Sequence, residues 1–180
     1  MKISEAKVKR MILYFAQHTD ASLLGKTKLM KLFYFSDFRH VKKYLTPITN
    51  DVYVNLEHGP VPSAIMNMVG TAENEIDAST LGDVISVVEK DGSNMKRIAA
   101  RRAFTDKDVE HFTKSELSVM QEVCEIFKEC TGKQIEDASH MESAWLKTKR
   151  GEFISYILGT NDPDSLVSSE DVGLALKILS

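Results

Sequence analysis

The sequence lacks the features of disulfide-bonded and membrane-spanning folds, which are many cysteines and long apolar runs. It contains two cysteines and four prolines in 180 residues. Two cysteines cannot form the disulfide framework of a small secreted protein. No stretch approaches the ~18 consecutive apolar residues of a membrane-spanning helix. The first residues, Met1–Lys7, lack the apolar region of a secretory signal, so we expect a cytoplasmic protein that does not engage membranes.

The motifs of common catalytic and cofactor sites are missing as well. The five histidines are scattered, no pair of them is four residues apart, and no Cys-x-x-Cys occurs. The nine glycines form neither a Walker loop, nor a Gly-x-Gly-x-x-Gly turn, nor a Gly-x-Ser-x-Gly elbow. We therefore predict a protein that is not an enzyme and that needs no cofactor and no metal.

The residues that are present favour an ordinary globular domain. Hydrophobic residues make up 43% and charged residues 27% of the chain, which is typical of folded proteins of this length. We predict a mainly helical α+β fold: a compact helical domain with a short strand and a small β-hairpin. Residues 1–150 are expected to form this domain, and 151–180 a helical extension packed on it.

Hydrophobic periodicity predicts two helices at the start of the chain. In the first, over 4–18, apolar residues recur at helical spacing and Ser4 is the expected N-cap. The second covers about 27–44, carries five aromatic residues within twelve, and is expected to contact neighbours on more than one side. Pro47 is expected to end it.

The middle of the chain changes to strand-like patterns. Asp51–Leu56 reads as a short strand that leads through a loop into a third helix, with Pro62 in the first turn of that helix. Two apolar runs, 84–88 and 96–100, flank the turn residues Asp91–Asn94 and predict a hairpin.

The clearest local signature follows at Thr113 and Glu116, which form a capping box at the start of a helix. Cys124 lies on the apolar face of that helix and is expected to be packed, whereas Gly132 is expected to stop the helix. Shorter helices are expected over about 133–140, around Trp145 and from Ser168 or Ser169 onward.

The net charge of −3 conceals a gradient along the chain. Residues 1–45 carry a net charge of +7, residues 46–95 carry −7, and residues 96–102 carry +4. The basic start could meet an acidic protein or a nucleic acid. Alternatively, its lysines are the solvent-exposed sides of two helices, balanced by the acidic middle, and we favour this second interpretation.

The basic strand ending in Arg102 is a second candidate for partner binding. Its four basic residues are Lys96, Arg97, Arg101 and Arg102. No interleaved aromatic residues and no nucleic-acid-binding motif accompany them. We therefore interpret this strand as a protected sheet edge or a docking face for an acidic protein.

Three segments together resemble a known family. Lys28–Phe35, His58–Val61 and Ser139–Trp145 are similar, in order and spacing, to the motifs of the Panacea antitoxin domain, a prophage-associated family that includes the SocA-type antitoxins. The resemblance covers about residues 5–150. Ser139 stands where the family usually has Thr, and Ala144 where it usually has Pro.

The resemblance implies a mostly helical antitoxin that neutralises a cognate protein toxin by direct binding. Some members also deliver the toxin to a cytoplasmic protease, so a proteolytic-adaptor role is a further expectation. The family has no established catalytic residues. The matching residues, which we expect to be scaffold first and contact residues second, are Lys31, Leu32, Tyr34, His58, Gly59, Pro60, Val61, His140, Glu142 and Trp145. His140 and Trp145 are expected to pack against the Gly59–Pro60 turn.

Two other functions stay open at this point. The basic residues would also suit a prophage-associated regulator that binds nucleic acid, although we expect no nucleic-acid partner. A hydrolase using His58 or His140 is the third possibility. It would require both histidines to converge on an open pocket.

Overall fold

The computed structural model describes residues 3–89 and 96–179 and has an α+β fold. The α-helices are α1 (Glu5–His18), α2 (Lys26–Tyr44), α3 (Ser63–Asn74), α4 (Asp106–Val109), α5 (Lys114–Phe127), α6 (Gly132–His140), α7 (Ser143–Leu146) and α8 (Ser169–Leu179). The strands are β1 (Tyr53–Leu56), β2 (Gly59–Pro62), β3 (Ile85–Glu89), β4 (Lys96–Ala100) and β5 (Phe153–Ile154). Single turns of 3-10 helix lie at Ala21–Leu23 and Ile76–Ala78, and a longer one at Tyr156–Asn161.

The first two helices lie where the sequence predicts them. Ser4 caps α1 by accepting from the Lys7 amide at 3.4 Å. Helix α2 is the centre of the molecule, with α5 and α6 and strand β2 packed around it. It is buried on nearly every side, as its aromatic content predicts. The helix ends at Tyr44, and Leu45 adopts a left-handed conformation with φ of 73°.

The strand predicted over Asp51–Leu56 is confirmed, although the observed strand, β1, is shorter. It belongs to a sheet that the sequence did not predict. In this antiparallel sheet β1 lies between β2 and β5. The segment read as a loop is therefore a strand, β2, in which Gly59 pairs with Leu56. Two prolines obscured the pattern, and they are tolerated because β2 is an edge strand. Pro62 is the N-cap residue of α3 rather than part of its first turn.

The second sheet is the predicted hairpin. Strand β3 pairs with β4 in antiparallel register, from Ile85 opposite Ala100 to Glu89 opposite Lys96. The expected turn residues, Asp91–Asn94, lie outside the described residues.

The capping box at α5 is confirmed, whereas the predicted stop at Gly132 is wrong. The amide of Glu116 donates to the Thr113 hydroxyl, and the Glu116 carboxylate accepts from the Thr113 amide. Helix α5 ends earlier, at Phe127, and Gly132 is the first residue of α6. The reason is a second capping box, in which Thr131 and Gln134 satisfy the first amides of α6. Cys124 is buried as expected.

The segment after residue 150 packs along α2 and β1. The Leu166 amide donates to the Lys42 carbonyl at 2.9 Å, and the Tyr156 hydroxyl donates to the Asp51 carbonyl at 2.7 Å. Helix α8 begins at Ser169, as expected, and buries Val172. Within the described residues, no helix combines the length and the apolar character that crossing a membrane requires.

Candidate functional site

The three motif segments meet at one place, which we call the motif junction: Lys31, Gly59, Pro60, Ser139, His140 and Trp145. The Lys31 ammonium extends from α2 and donates to the Pro60 carbonyl at 2.8 Å. That bond ties the central helix to β2. The motif lysine therefore fixes the position of the Gly-Pro strand.

Gly59 brings β2 into close contact with α6. Its φ is +87°, a left-handed conformation that glycine adopts without strain. A Cβ at this position would lie 2.7 Å from the Ser139 Oγ and 3.0 Å from the His140 Nε2. Both the backbone conformation and the space require glycine, because any side chain would push α6 away.

His140 and Trp145 close the other side of the junction. Their rings stack at 4.1 Å between centroids with 21° between planes. His140 therefore lies against Gly59, and Trp145 stacks on the His140 ring. The Nε2 of His140 and the Nε1 of Trp145 are both buried, and neither has a hydrogen-bond partner within the described part of the chain. Burial lowers the pKa of His140.

The expectation that the N-terminal lysines form solvent-exposed helix sides is wrong for three lysines of α2. Lys28, Lys31 and Lys42 are each 1% exposed or less. Lys28 donates to the Lys128 carbonyl at 2.8 Å. Each helix face here is covered by a segment distant in sequence, so the local pattern could not show the burial.

The pKa values of two buried lysines move in opposite directions. Burial lowers the pKa of Lys31 to about 7, and the carboxylate of Glu136 only partly opposes that effect. Burial also acts on Lys42, but there the carboxylates of Glu142 and Asp164 outweigh it and raise the pKa. A carbonyl partner satisfies a hydrogen bond without neutralising the charge, whereas carboxylates do both.

Glu142 of the third motif faces Lys42 rather than His140. Its carboxylate lies 3.0 Å from the Lys42 ammonium, and burial raises its pKa. Asp162, from the C-terminal segment, accepts from the Ser143 amide at 2.7 Å and also contacts Lys42. Glu142 therefore anchors α7 to α2. The three apolar motif positions, Leu32, Tyr34 and Val61, are buried in the core.

A groove lies beside the motif junction, between the first turns of α2 and α6. We call it the basic groove; it has a volume of about 780 Å³ and is lined by residues that include Lys26, Lys28, His58, Glu73, Lys96 and Glu136. His58 projects from the β1–β2 turn with 72% of its side chain exposed, and its Nδ1 lies 3.2 Å from the Glu136 carboxylate. His140 is stacked against Trp145 and does not line the groove, so the two histidines do not open onto one cavity, although each lies near Glu136.

An apolar pocket adjoins the basic groove. We call it the methionine pocket; its volume is about 410 Å³, and its apolar lining is Met30, Leu56, Val61 and Met66. Lys26, Thr27 and His58 line both cavities, so the two form one continuous surface. Six basic and three acidic residues line this surface in total.

The four basic residues of the hairpin do not form one free patch. Lys96 lines the basic groove and donates to the Glu73 carbonyl, whereas the Nε of Arg97 is buried without a partner among the described atoms. Arg101 donates from Nε to the Ile85 carbonyl. Arg102 contacts both oxygens of Asp108, at 2.7 and 2.8 Å. Of these four candidates, only Lys96 belongs to the groove.

Sequence reasoning singled out neither Glu136 nor Asp37. Glu136 joins the groove to the junction, and its spacing to His140 is the i, i+4 spacing that places two side chains on one helix face. Asp37 is fully buried in α2 and accepts from the Ile48 and Thr49 amides and the Thr49 and Tyr53 hydroxyls. Burial raises the pKa of Asp37 to about 6. In the sequence, Asp37 is marked only by being an acidic residue among the aromatic residues of α2.

Comparison with known proteins gives one match. A family model described as "Antitoxin SocA-like, Panacea domain" matches residues 29–146, about two thirds of the chain. The matched segment contains every residue of the motif junction and the apolar lining of the methionine pocket. No curated protein and no solved structure matches the chain.

Proposed function

The chain belongs to the SocA-like Panacea antitoxin family, and on this premise we propose that it neutralises a cognate protein toxin by direct binding. We further propose that the basic groove and the methionine pocket together form the contact surface. The observation that carries the proposal is the family match over a segment whose motif residues assemble into one junction. That junction holds the β1–β2 turn, and with it His58 and Leu56, beside both cavities.

The composition of the surface suits a protein segment with an apolar anchor and acidic neighbours. Methionine side chains adapt their shape to an inserted apolar group. Lys28 and Lys31 are buried, and three other basic residues of the lining are paired with its three carboxylates. We therefore expect an acidic group of the partner to contact Lys96. This expectation agrees with the sequence-based interpretation of Lys96 as part of a docking face.

Co-expression tests the proposal directly. The product of the adjacent small open reading frame is expressed with and without this chain, and growth and co-purification are recorded. We expect growth arrest by the neighbour alone, and rescue together with co-purification when both are present. A neighbour that is harmless alone and does not co-purify would overturn the antitoxin assignment.

A matched pair of variants tests the contact surface. Leu56 lies in the methionine pocket and is 36% exposed, and Ile126 lies on α5, outside both cavities, and is 47% exposed. Leu56→Asp should abolish rescue and co-purification, whereas Ile126→Asp should preserve both. Equal behaviour of the two variants would place the toxin contact elsewhere on the molecule while leaving the antitoxin function intact.

A further inference from the structure

Helix α6 presents three potential metal ligands beside the motif junction. One ligand atom each from Glu136, Asp137 and His140 lies within 4.8 Å of the other two. Ligand atoms at about 2.1 Å from one tetrahedral zinc ion are ~3.4 Å apart. Small side-chain rotations therefore suffice to bring the three atoms into coordination.

The position between these groups already attracts a cation. The Lys133 ammonium lies 2.5 Å from the Asp137 carboxylate and 3.5 Å from that of Glu136. Its side chain is 71% exposed. An ion pair this exposed contributes little to stability, so a bound metal would displace the ammonium at low cost.

Two of the three ligands are held in place. The Glu136 side chain is only 11% exposed, which restricts its carboxylate. The His140 ring packs between Gly59 and Trp145, which restricts its rotation. The buried Nε2 of His140 lacks a hydrogen-bond partner in the described structure.

A fourth ligand is available from another element. The Nδ1 of His58, on the β1–β2 turn, lies 3.2 Å from the Glu136 carboxylate. Glu136 therefore contacts His58 as well as belonging to the cluster on α6.

We propose that Glu136, Asp137, His140 and His58 bind one divalent transition-metal ion of the zinc class. Imidazole combined with carboxylate ligands suits such borderline ions better than Mg²⁺ or Ca²⁺, which prefer oxygen alone. The bound ion links α6 to the β1–β2 turn and so fixes the turn that separates the basic groove from the methionine pocket. The proposal does not depend on toxin binding.

Calorimetric titration of the purified full chain with Zn²⁺ tests the site. We expect one ion per chain, a rise in melting temperature on binding, and no displacement by excess Mg²⁺. Asp137 is exposed, so Asp137→Asn should preserve the fold while weakening affinity by at least the ~10-fold that loss of an outer-shell partner costs. His140→Ala should weaken affinity similarly. The control is His111→Ala, an exposed histidine outside the cluster, which should bind as the wild type does.

A gain-of-affinity variant separates this site from adventitious binding. Lys133→Ala removes the competing ammonium and should tighten Zn²⁺ binding several-fold. The site would be refuted by affinity that is unchanged in both Asp137→Asn and His140→Ala. Binding lost in Cys130→Ser would also refute it, since the ion would then be held by a thiol.

Discussion

At the scale of single residues, the buried lysines of α2 show that the hydrogen-bond acceptor determines whether a buried ammonium group stays charged. Lys31 has a carbonyl as its acceptor and its pKa falls to about 7, whereas carboxylates keep Lys42 fully charged. Both ammonium groups are occupied inside the molecule. They are therefore unavailable to a toxin or a nucleic acid, although both contribute to the positive charge of the N-terminal region.

Tyr34 gives the first prediction. Its side chain is fully buried, and its hydroxyl has no hydrogen-bond partner among the described groups. Because an unsatisfied buried hydroxyl costs stability, Tyr34→Phe should raise the free energy of unfolding by about 1 kcal/mol, measured by urea denaturation. Tyr53→Phe is the matched control: its hydroxyl donates to Asp37 at 2.9 Å, so this variant should lose stability instead. Equal losses in both variants would contradict the prediction.

Asp108 gives a prediction that depends on pH. The Arg102 guanidinium and two groups of Thr105 donate to this carboxylate, and Arg102 holds its pKa well below the usual range. Asp108→Asn should lower the free energy of unfolding by about 2 kcal/mol at pH 7, since charge-assisted bonds are lost.

The sign of the pH dependence follows from the depressed pKa of Asp108. The stabilisation is fully present above the unfolded pKa of 3.8 and is lost as the pH falls toward the folded value. The difference between the wild type and Asp108→Asn should therefore narrow in thermal unfolding between pH 5 and pH 3. A difference that stays constant over this range would show that Asp108 acts through packing alone.

Single residues also mark the limit of sequence reasoning. The periodicity of α2 assigns Lys31 and Lys42 to a solvent-exposed face, and only the packing of Pro60 and Asp162 buries them. Nothing local encodes those contacts. The resemblance named residues that the fold brings together at the motif junction, but it did not indicate that Lys31 bonds to the Pro60 carbonyl or that Glu142 bonds to Lys42.

At the scale of elements, the junction of β2 with α6 depends on Gly59. Gly59→Ala would place a methyl group 2.7 Å from the Ser139 Oγ in a backbone conformation that alanine rarely adopts. Gly151 is the matched control, because its φ is also +87° but no atom lies within 4 Å of its Cβ position. Gly151→Ala should lower the free energy of unfolding by about 1 kcal/mol, from backbone strain alone. Gly59→Ala should cost about twice as much, since the contact is added to the strain.

Thermal unfolding of both glycine variants measures the difference. Equal losses would show that α6 shifts freely to accommodate the methyl group, and the motif junction would then be less rigid than its contacts indicate. A larger loss in Gly59→Ala ties the Gly-Pro motif to the position of α6.

Elements with a local chemical signature were predictable, and those defined by pairing were not. The capping box of Thr113 and the apolar runs of the hairpin each encode an element within a few residues. Strand β2 has two prolines and no alternation, so only its pairing with β1 identifies it. Gly132 could end one helix or begin the next, and the capping box of Thr131 decides in favour of the next.

At the scale of the whole molecule, the charge gradient is partly neutralised by the fold. The basic first segment meets the acidic middle in long-range ion pairs: Lys9 with Asp83 at 2.9 Å and Lys26 with Glu73 at 2.8 Å. This agrees with the interpretation that the two segments balance each other. In the basic groove, the exposed Lys96 donates to the Glu73 carbonyl rather than to a carboxylate.

The last prediction concerns the segment 151–180, which supplies two of the three carboxylates around Lys42: Asp162 at 3.4 Å and Asp164 at 2.9 Å, with Glu142 as the third. A chain ending at residue 150 leaves this buried ammonium with Glu142 alone, and it also loses strand β5. Its melting temperature should therefore fall well below that of the full chain. An unchanged melting temperature would show that residues 1–150 are equally stable without the extension.

Lys42→Met separates the ion cluster from the other contacts of that segment. In the full chain this variant leaves three carboxylates without their cation, and breaking a buried pair in this way costs about 3 kcal/mol. With Asp162→Asn and Asp164→Asn also present, only Glu142 remains unpaired, so Lys42→Met should cost much less. Urea denaturation of the four chains measures this coupling. A cost that is the same in both backgrounds would mean that Lys42 stabilises the fold through its aliphatic stem, and that the extension is held by contacts other than these ion pairs.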